Sequence, residues 1–187
     1  MYIRFVLDPF VPHGITKVIR RVVSDLKRIF KEVTYSIESD ETLVPLLKRD
    51  PLPVSKVFQR KANMTCRGVV VYILSTNLIW QNRDIYGISL PSRCVIGLRD
   101  LPKIGYKMWS SRVWELILHE LGHSFGLIKK YRTYSKVNNE GTRHCLNNCV
   151  MSEDSYDSVW GKRANMRFLS RKPYCNDCLK YLLLKDA

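Results

Sequence analysis

One stretch of the chain decides how the rest is interpreted, and it reads His119-Glu120-Leu121-Gly122-His123-Ser124-Phe125-Gly126. Two histidines four residues apart on a helix lie on the same face, so both imidazole rings can reach one metal ion while Glu120 stands beside them. Such a pair is typical of a catalytic zinc site, in which a water molecule keeps one coordination position and has its pKa lowered to about 7. The alternative is an amphipathic core helix on which His119 and His123 are ordinary polar residues, and the motifs further along the chain disfavour it.

The residues around this stretch predict a helix from about 111 to 126. Ser110 and Ser111 are suitable N-caps, and Gly126 can adopt the left-handed conformation that commonly ends a helix. Apolar residues recur at helical spacing: Val113, Leu116, Ile117, Leu121 and Leu127. Because the chain can reverse at Gly126, a third ligand can approach the metal from outside the helix.

Two residues compete for the position of the third metal ligand. His144 leads into a cysteine-rich segment, whereas Glu153, with Asp157, imitates the Glu-x-x-x-Asp element of thermolysin-like enzymes. We prefer His144, since three of the four histidines are then used. Met151 also lies shortly after it, where a buried thioether could form the floor of the site. The fourth histidine, His13, is expected to be a surface or capping residue.

Four of the six cysteines fall into two close pairs: Cys145 with Cys149, and Cys175 with Cys178. This spacing is typical of four thiolates around a closed, tetrahedral, structural zinc, whose binding would be coupled to folding of the irregular C-terminal third. The alternative is two disulfide bonds, which the lack of a secretory signal disfavours. Cys66 and Cys94 are then left over and are expected to be buried thiols.

These motifs resemble those of the archaemetzincins, a branch of the metzincin metalloproteases. That family carries H-E-x-x-H-x-x-G-x-x-H-C, then a second cysteine, a Cys-x-Met element that forms the Met-turn, and a distal C-x-x-C pair. The corresponding residues occur in the same order: His119, Glu120, His123, Gly126, His144, Cys145, Cys149 with Met151, and Cys175 with Cys178. One departure is an insertion of fifteen residues, 129 to 143, ahead of the third histidine. Longer loops add little closure entropy, so the site can survive it.

The resemblance implies an α+β, metzincin-like fold. Its parts are a mixed twisted sheet, packed helices that include the zinc-binding active-site helix, and a small irregular C-terminal subdomain. We expect one catalytic domain over residues 1–187. Residues 1–127 would form an upper subdomain, and residues 128–187 a lower one with the Met-turn and the four-cysteine zinc site.

The resemblance also implies a function. The chain would bind two zinc ions, one catalytic and one structural, and would hydrolyse peptide or protein substrates through a zinc-bound water with Glu120 as general base. Endopeptidase and aminopeptidase action both stay open. The competing hypothesis is a catalytically inactive, zinc-stabilised module, derived from a metzincin, that binds nucleic acid or protein.

Apolar periodicity predicts the other elements: strands at 1 to 7, 32 to 38, 69 to 75, 84 to 90 and 93 to 98, helices at about 15 to 30 and 178 to 184, and a helical turn at 42 to 48. The early strand-helix-strand alternation favours a mixed sheet with helices packed on it. We expect the strand at 93 to 98 to form the upper rim of the cleft. If it is an edge strand, it could bind an extended peptide as an added strand.

The chain is strongly basic, with 31 Lys and Arg against 17 Asp and Glu and a net charge of +14. Three explanations compete: a preference for acidic peptides, association with nucleic acid, and a basic proteome in which the charge is only a solvated surface. We prefer the third, because the basic residues are scattered. No signal peptide is recognisable, and no apolar run approaches the roughly 20 residues that span a bilayer. We therefore expect a cytoplasmic protein without membrane contact, and the oligomeric state stays open.

Overall fold

The structure is a computed structural model that describes residues 1–60, 68–99, 101, 106–127, 135–137, 143–145, 149–152 and 168–185. The strands are β1 (Tyr2–Leu7), β2 (Thr34–Ser39), β3 (Leu52–Pro53), β4 (Val69–Leu74), β5 (Leu78–Trp80), β6 (Arg83–Ile85), β7 (Gly87–Leu90), β8 (Arg93–Gly97), β9 (Ser135–Val137) and β10 (Arg143–Cys145). The helices are α1 (Ile15–Leu26), α2 (Val44–Leu47), α3 (Val54–Arg60), α4 (Tyr106–Ser124) and α5 (Asn176–Lys185).

A five-stranded mixed sheet lies at the centre of the fold, with the strand order β2-β1-β4-β8-β7. The first four strands run parallel to one another, and β7 pairs antiparallel to β8 at the edge. All six residues of β4 are buried, as expected of a central parallel strand that is covered on both faces. The predicted α+β class with a mixed sheet and packed helices is confirmed.

Each face of the sheet packs into its own apolar core. On one face, α1 and α4 bury side chains against Phe5 and Val71 of the sheet. On the other face, Leu52 and Val57 pack against Val70 and Tyr72. The buried turn around Val150 and the C-terminal helix α5 join the first of these cores, so the described C-terminal residues pack on the same side as α4. The division into subdomains at residue 127 stays a prediction.

A buried carboxylate ties α4 to its surroundings. Asp25 of α1 is almost fully buried and accepts a hydrogen bond from Trp114 Nε1 of α4 at 3.0 Å. Arg21 and Arg171 also donate to this carboxylate, at 3.2 and 3.0 Å. A buried charge is tolerated when it is paired and hydrogen-bonded in this way. Asp25 therefore links α1, α4 and the segment around residue 171.

Helix α4 confirms the helix predicted over about 111 to 126 but begins earlier than expected, at Tyr106. Trp109 is buried one turn ahead of Val113, so the apolar stripe extends further towards the N-terminus than the sequence interpretation allowed. Ser110 and Ser111 consequently lie inside the helix and are buried, and the prediction that they cap it was wrong.

The C-terminal end of α4 matches the prediction. Gly126 has a φ of 76°, and its N–H donates to the carbonyl of His123 while the N–H of Leu127 donates to that of Gly122, both at 2.9 Å. These two bonds form the Schellman arrangement that commonly ends a helix. The chain turns there as the third-ligand hypothesis requires.

The edge of the sheet differs from the prediction. The strand at 93 to 98 was expected to form the rim of the cleft, but β8 lies inside the sheet between β4 and β7. The predicted strand at 84 to 90 divides at Tyr86 into β6, which belongs to a separate three-stranded sheet β3-β5-β6, and β7, which forms the edge. Local periodicity could not reveal this division, because it does not show that β6 pairs back to β5 while β7 pairs forward to β8.

Smaller differences concern the ends of helices. The helix expected over 15 to 30 ends at Leu26, and the chain then tightens through bonds from Arg28 to Asp25 and from Ile29 to Leu26. The final helix begins at Asn176, two residues earlier than predicted. Within the part of the chain that the structure describes, no helix is both long enough and apolar enough to cross a membrane.

Candidate metal centres

The two histidines of α4 lie side by side, His119 buried and His123 half-buried. Their Nε2 atoms are 3.1 Å apart, close to the separation of about 3.3 Å expected for two nitrogen ligands of one tetrahedral zinc. His119 Nδ1 is 2.5 Å from the carbonyl oxygen of Val150. Since a carbonyl can only accept, Nδ1 carries the proton and Nε2 keeps its lone pair. The backbone at Val150 thus holds His119 in the tautomer that binds a metal through Nε2.

His144 completes the group from another part of the chain. It lies on β10, its ring is buried, and the ring centroid is 5.2 Å from that of His119 and 5.5 Å from that of His123. The possible ligand nitrogens of the three histidines all lie within 4.8 Å of one another. The structure therefore brings His119, His123 and His144 together as the sequence predicted.

Two short antiparallel strands, β9 and β10, place His144 next to the helix. Strand β9, which lies within the inserted segment 129 to 143, pairs antiparallel to β10 with Lys136 opposite His144. The N–H of Cys145 also donates to the carbonyl of Met151, so β10 is bonded on to the turn at 149–152. Part of the insertion is thus a structural support for the third histidine. Glu153, the other candidate ligand, lies outside the described residues.

Burial keeps the imidazole of His123 in the form that binds metals. Desolvation, followed by the charge of the neighbouring His144, lowers the pKa of His123 to about 4. At neutral pH the ring of His123 is then uncharged and offers a lone pair. An uncharged imidazole suits zinc, which accepts nitrogen ligands of this kind readily.

Glu120 lies beside the histidines and is itself buried, with only 3% of its surface exposed. Burial raises the pKa of its carboxyl group to about 7, against a smaller opposing effect of the hydrogen bond from Ser89. A divalent cation nearby would favour the carboxylate and lower this value. A group that titrates near neutrality is suited to accepting and returning a proton.

Met151 lies under the helix at a position that glycine makes possible. A Cβ atom at position 122 would collide with Met151 Sδ, and Met151 is fully buried. Gly122, between Glu120 and His123, therefore lets the turn at 149–152 approach α4 closely. The sequence interpretation missed this role, although a glycine inside a helix costs roughly 1 kcal/mol relative to alanine and could have signalled it.

The four cysteines form a second group that resembles a closed metal site: Cys145, Cys149, Cys175 and Cys178. The Sγ–Sγ distances are 3.7 Å for the pair 145 and 175, 3.9 Å for 145 and 178, and 4.0 Å for 149 and 178. Four thiolates around one zinc would lie about 3.8 Å apart, whereas a disulfide needs about 2.0 Å. All four are free thiols, so the alternative of two disulfide bonds was wrong.

Among the described residues, Cys94 and His13 belong to neither group. Cys94 is a fully buried free thiol, as predicted, 3.1 Å from Ser124 Oγ. His13 is exposed on the surface, also as predicted. Cys66 lies outside the described residues.

Comparison with known proteins supports the same fold. No protein-family model matches the chain, and no curated protein matches it in sequence. The crystal structure of archaemetzincin from Methanopyrus kandleri superposes with a TM-score of 0.72 at 19% identity, covering 98% of this chain and 94% of that one. Archaemetzincin from Archaeoglobus fulgidus, complexed with malonate, gives a TM-score of 0.59 at 20% identity, covering 96% and 99%. The resemblance inferred from the motifs is thus confirmed at the level of the fold.

Proposed function

We propose that this chain is a zinc-dependent metallopeptidase of the archaemetzincin type. The observation that carries the proposal is the group of His119, His123 and His144, whose nitrogens lie within 4.8 Å of one another, with Glu120 next to His119 on the same helix. Three imidazole ligands leave one position of a tetrahedral metal for another ligand, which is the pattern of catalytic zinc. The fold shared with two archaemetzincin structures supports the same conclusion.

Each residue then has a defined task. His119, His123 and His144 would hold zinc, which supplies Lewis-acid chemistry when bound by activating water and polarising a carbonyl. Glu120 takes a proton from the attacking water and returns it to the leaving amine, so its carboxyl group ends the reaction as it began. Met151 packs against Gly122 of the same helix and would form the floor of the site without contributing a ligand atom.

The edge strand β7 is the surface that would bind an extended peptide. It pairs with β8 on one side, and among the described residues no strand pairs with its other side. The backbone of an edge strand can accept a further strand through main-chain hydrogen bonds. Because β7 also lies against Glu120, a peptide bound there would run past the general base. This role replaces the one that the sequence assigned to the strand at 93 to 98.

The four cysteines would hold a second, structural zinc. All four sulfurs are supplied by the protein, so no position remains for water or substrate. We therefore propose two zinc ions per chain, of which only the ion in the histidine group has a coordination position open to water or substrate. The competing function, a zinc-stabilised module that binds nucleic acid, rests on the net charge of +14 and requires the histidine group to be inactive.

The test uses the protein as isolated, together with its His144→Ala and His13→Ala variants. We expect two zinc ions per wild-type chain and hydrolysis within a broad set of quenched fluorescent peptides. A chelator should remove the zinc of the histidine group first, and activity with it. His144→Ala should retain one zinc and lose activity, whereas His13→Ala, a matched change of an exposed histidine, should behave as wild type.

Two results would contradict the proposal. Wild-type protein that holds two zinc ions, hydrolyses none of the peptides and binds RNA or DNA in a strongly salt-dependent way would support the binding module instead. His144→Ala with two zinc ions would remove this histidine from the ligand set.

A further inference from the structure

The edge strand makes two separate contacts with the side chain of Glu120. The hydroxyl of Ser89 donates to Glu120 Oε2 over 2.6 Å. Two residues earlier, Gly87 lies so close that a Cβ atom there would be 2.8 Å from Glu120 Oε1 and 3.0 Å from Cγ. Residues two apart on a strand share a face, so both contacts come from the side of β7 that lies on α4.

Ser89 is suited to hold this carboxyl group without competing for its proton. Among the described residues, Ser89 provides the side-chain hydrogen bond to the Glu120 carboxyl. A hydroxyl can donate to a carboxylate oxygen, and when Oε1 carries the proton it can equally donate to the unprotonated Oε2 of the acid. Both protonation states of Glu120 therefore find a partner in Ser89. The bond engages Oε2 and leaves Oε1, beneath Gly87, for proton exchange.

Gly87 has no side chain and so leaves room for the carboxyl group of Glu120. The groups that a side chain at this position would meet are the far end of the Glu120 side chain, not backbone. A methyl group at 87 would therefore displace the carboxyl group and leave the strand itself in place. The missing side chain at Gly87 thus keeps open the position that Glu120 occupies.

We propose that Ser89 and Gly87 are positioning residues for the general base: they fix the carboxyl group so that Oε1 takes the proton from water and returns it to the leaving amine. The O–H bond of Ser89 stays intact throughout, and no other proton is transferred. This inference rests on the proposed function. It also means that the strand proposed to bind the peptide is the strand that places the base.

Ser89 has structural contacts as well, and the test must separate them. Its hydroxyl lies 2.6 Å from the backbone carbonyl oxygen of Glu120 and 3.4 Å from Cys94 Sγ, so it also joins β7 to α4. A purely structural role would alter stability without selectively altering kcat. Ser89→Thr keeps a hydroxyl at the same position and is the conservative variant. Ser92→Ala, in the exposed turn after β7, is the matched control, since its hydroxyl bonds only to the carbonyl of Pro91 among the contacts that the structure describes.

The kinetic test uses the peptide that the wild-type protein hydrolyses best. Ser89→Ala should lower kcat about tenfold with KM within about twofold of wild type, since one hydrogen bond to a charged group is lost. Ser89→Thr should recover most of kcat, and Gly87→Ala should lower it at least as much as Ser89→Ala. Ser92→Ala should match wild type. Wild-type kcat in Ser89→Ala, or a change in KM alone, would overturn the proposal while leaving the peptidase function intact.

A second measurement does not depend on activity. In the isolated, metal-containing protein labelled with ¹³C-glutamate, the carboxyl resonance of Glu120 is identified as the one that Glu120→Gln removes. We expect this resonance to shift in Ser89→Ala and in Gly87→Ala but not in Ser92→Ala. If no peptide is hydrolysed, the proposed function fails, and this resonance still decides the inference. An identical resonance in wild type and Ser89→Ala would overturn it.

Discussion

The three-histidine group and the four-cysteine group meet at β10, where His144 and Cys145 are neighbours, yet our proposal gives them different tasks. The histidine group takes two ligands from a rigid helix and one from a hairpin, and a buried carboxyl group stands beside it. The cysteine group surrounds its centre with four sulfurs at separations suited to a tetrahedral metal. The number of protein ligands and the residues around them, more than the identity of the metal, therefore distinguish a proposed catalytic site from a proposed structural site.

The largest expected effect is a loss of peptide hydrolysis when the carboxyl group beside the histidine group is changed. Glu120→Gln removes the proton acceptor and keeps the shape of the side chain, so kcat should fall about 10²- to 10⁴-fold while both zinc ions stay bound. Peptide hydrolysis and zinc content measured on the same preparation check this. Retained hydrolysis would show that another residue acts as the base, and loss of one zinc would show that Glu120 supports the metal instead.

The next effect should appear in stability. Cys178→Ser breaks the four-sulfur set, and because metal binding is coupled to folding, the free energy of unfolding should fall by about 3–5 kcal/mol. Chemical denaturation with zinc analysis measures it. Cys94→Ser is the matched control, since this buried thiol belongs to neither group, and it should keep two zinc ions. An unchanged denaturation midpoint for Cys178→Ser would count against a structural metal.

A smaller effect probes the contact that joins the turn at 149–152 to α4. Gly122→Ala should lower the free energy of unfolding by about 1 kcal/mol, because overpacking against Met151 outweighs the gain in helix propensity. In a Met151→Ala background the collision disappears, and the same change should stabilise instead. This sign reversal is measured by a double-mutant cycle. Stabilisation in both backgrounds would mean that Gly122 does not accommodate Met151.

Much of the histidine group could be predicted from the sequence because its information is local. The spacing of His119 and His123 and the glycine at 126 each determine a local geometry, and the structure reproduces both. The four cysteines were also recognisable, since close pairs bring their thiols together whatever the intervening path. The order of the motifs then sufficed to predict the fold class.

The parts that failed depend on how strands pair and pack, which periodicity does not show. Nothing in the pattern around Tyr86 shows that the chain changes sheets there, so the strand at 93 to 98 was considered as a possible edge and β7 was not. The contact of Ser89 with Glu120 arises from the packing of that edge on α4 and was equally invisible. The hairpin of β9 and β10 was missed because it lies in an insertion that the motif comparison treated only as extra length.

The most direct test of the account is the location of zinc in crystals of the protein as isolated, measured by anomalous scattering on both sides of the zinc absorption edge. The account predicts two peaks per chain. One should lie about 2.0–2.1 Å from a nitrogen of each of His119, His123 and His144, and the other about 2.3 Å from the four cysteine sulfurs. A peak among the cysteines with none among the histidines, in fully loaded protein, would contradict it.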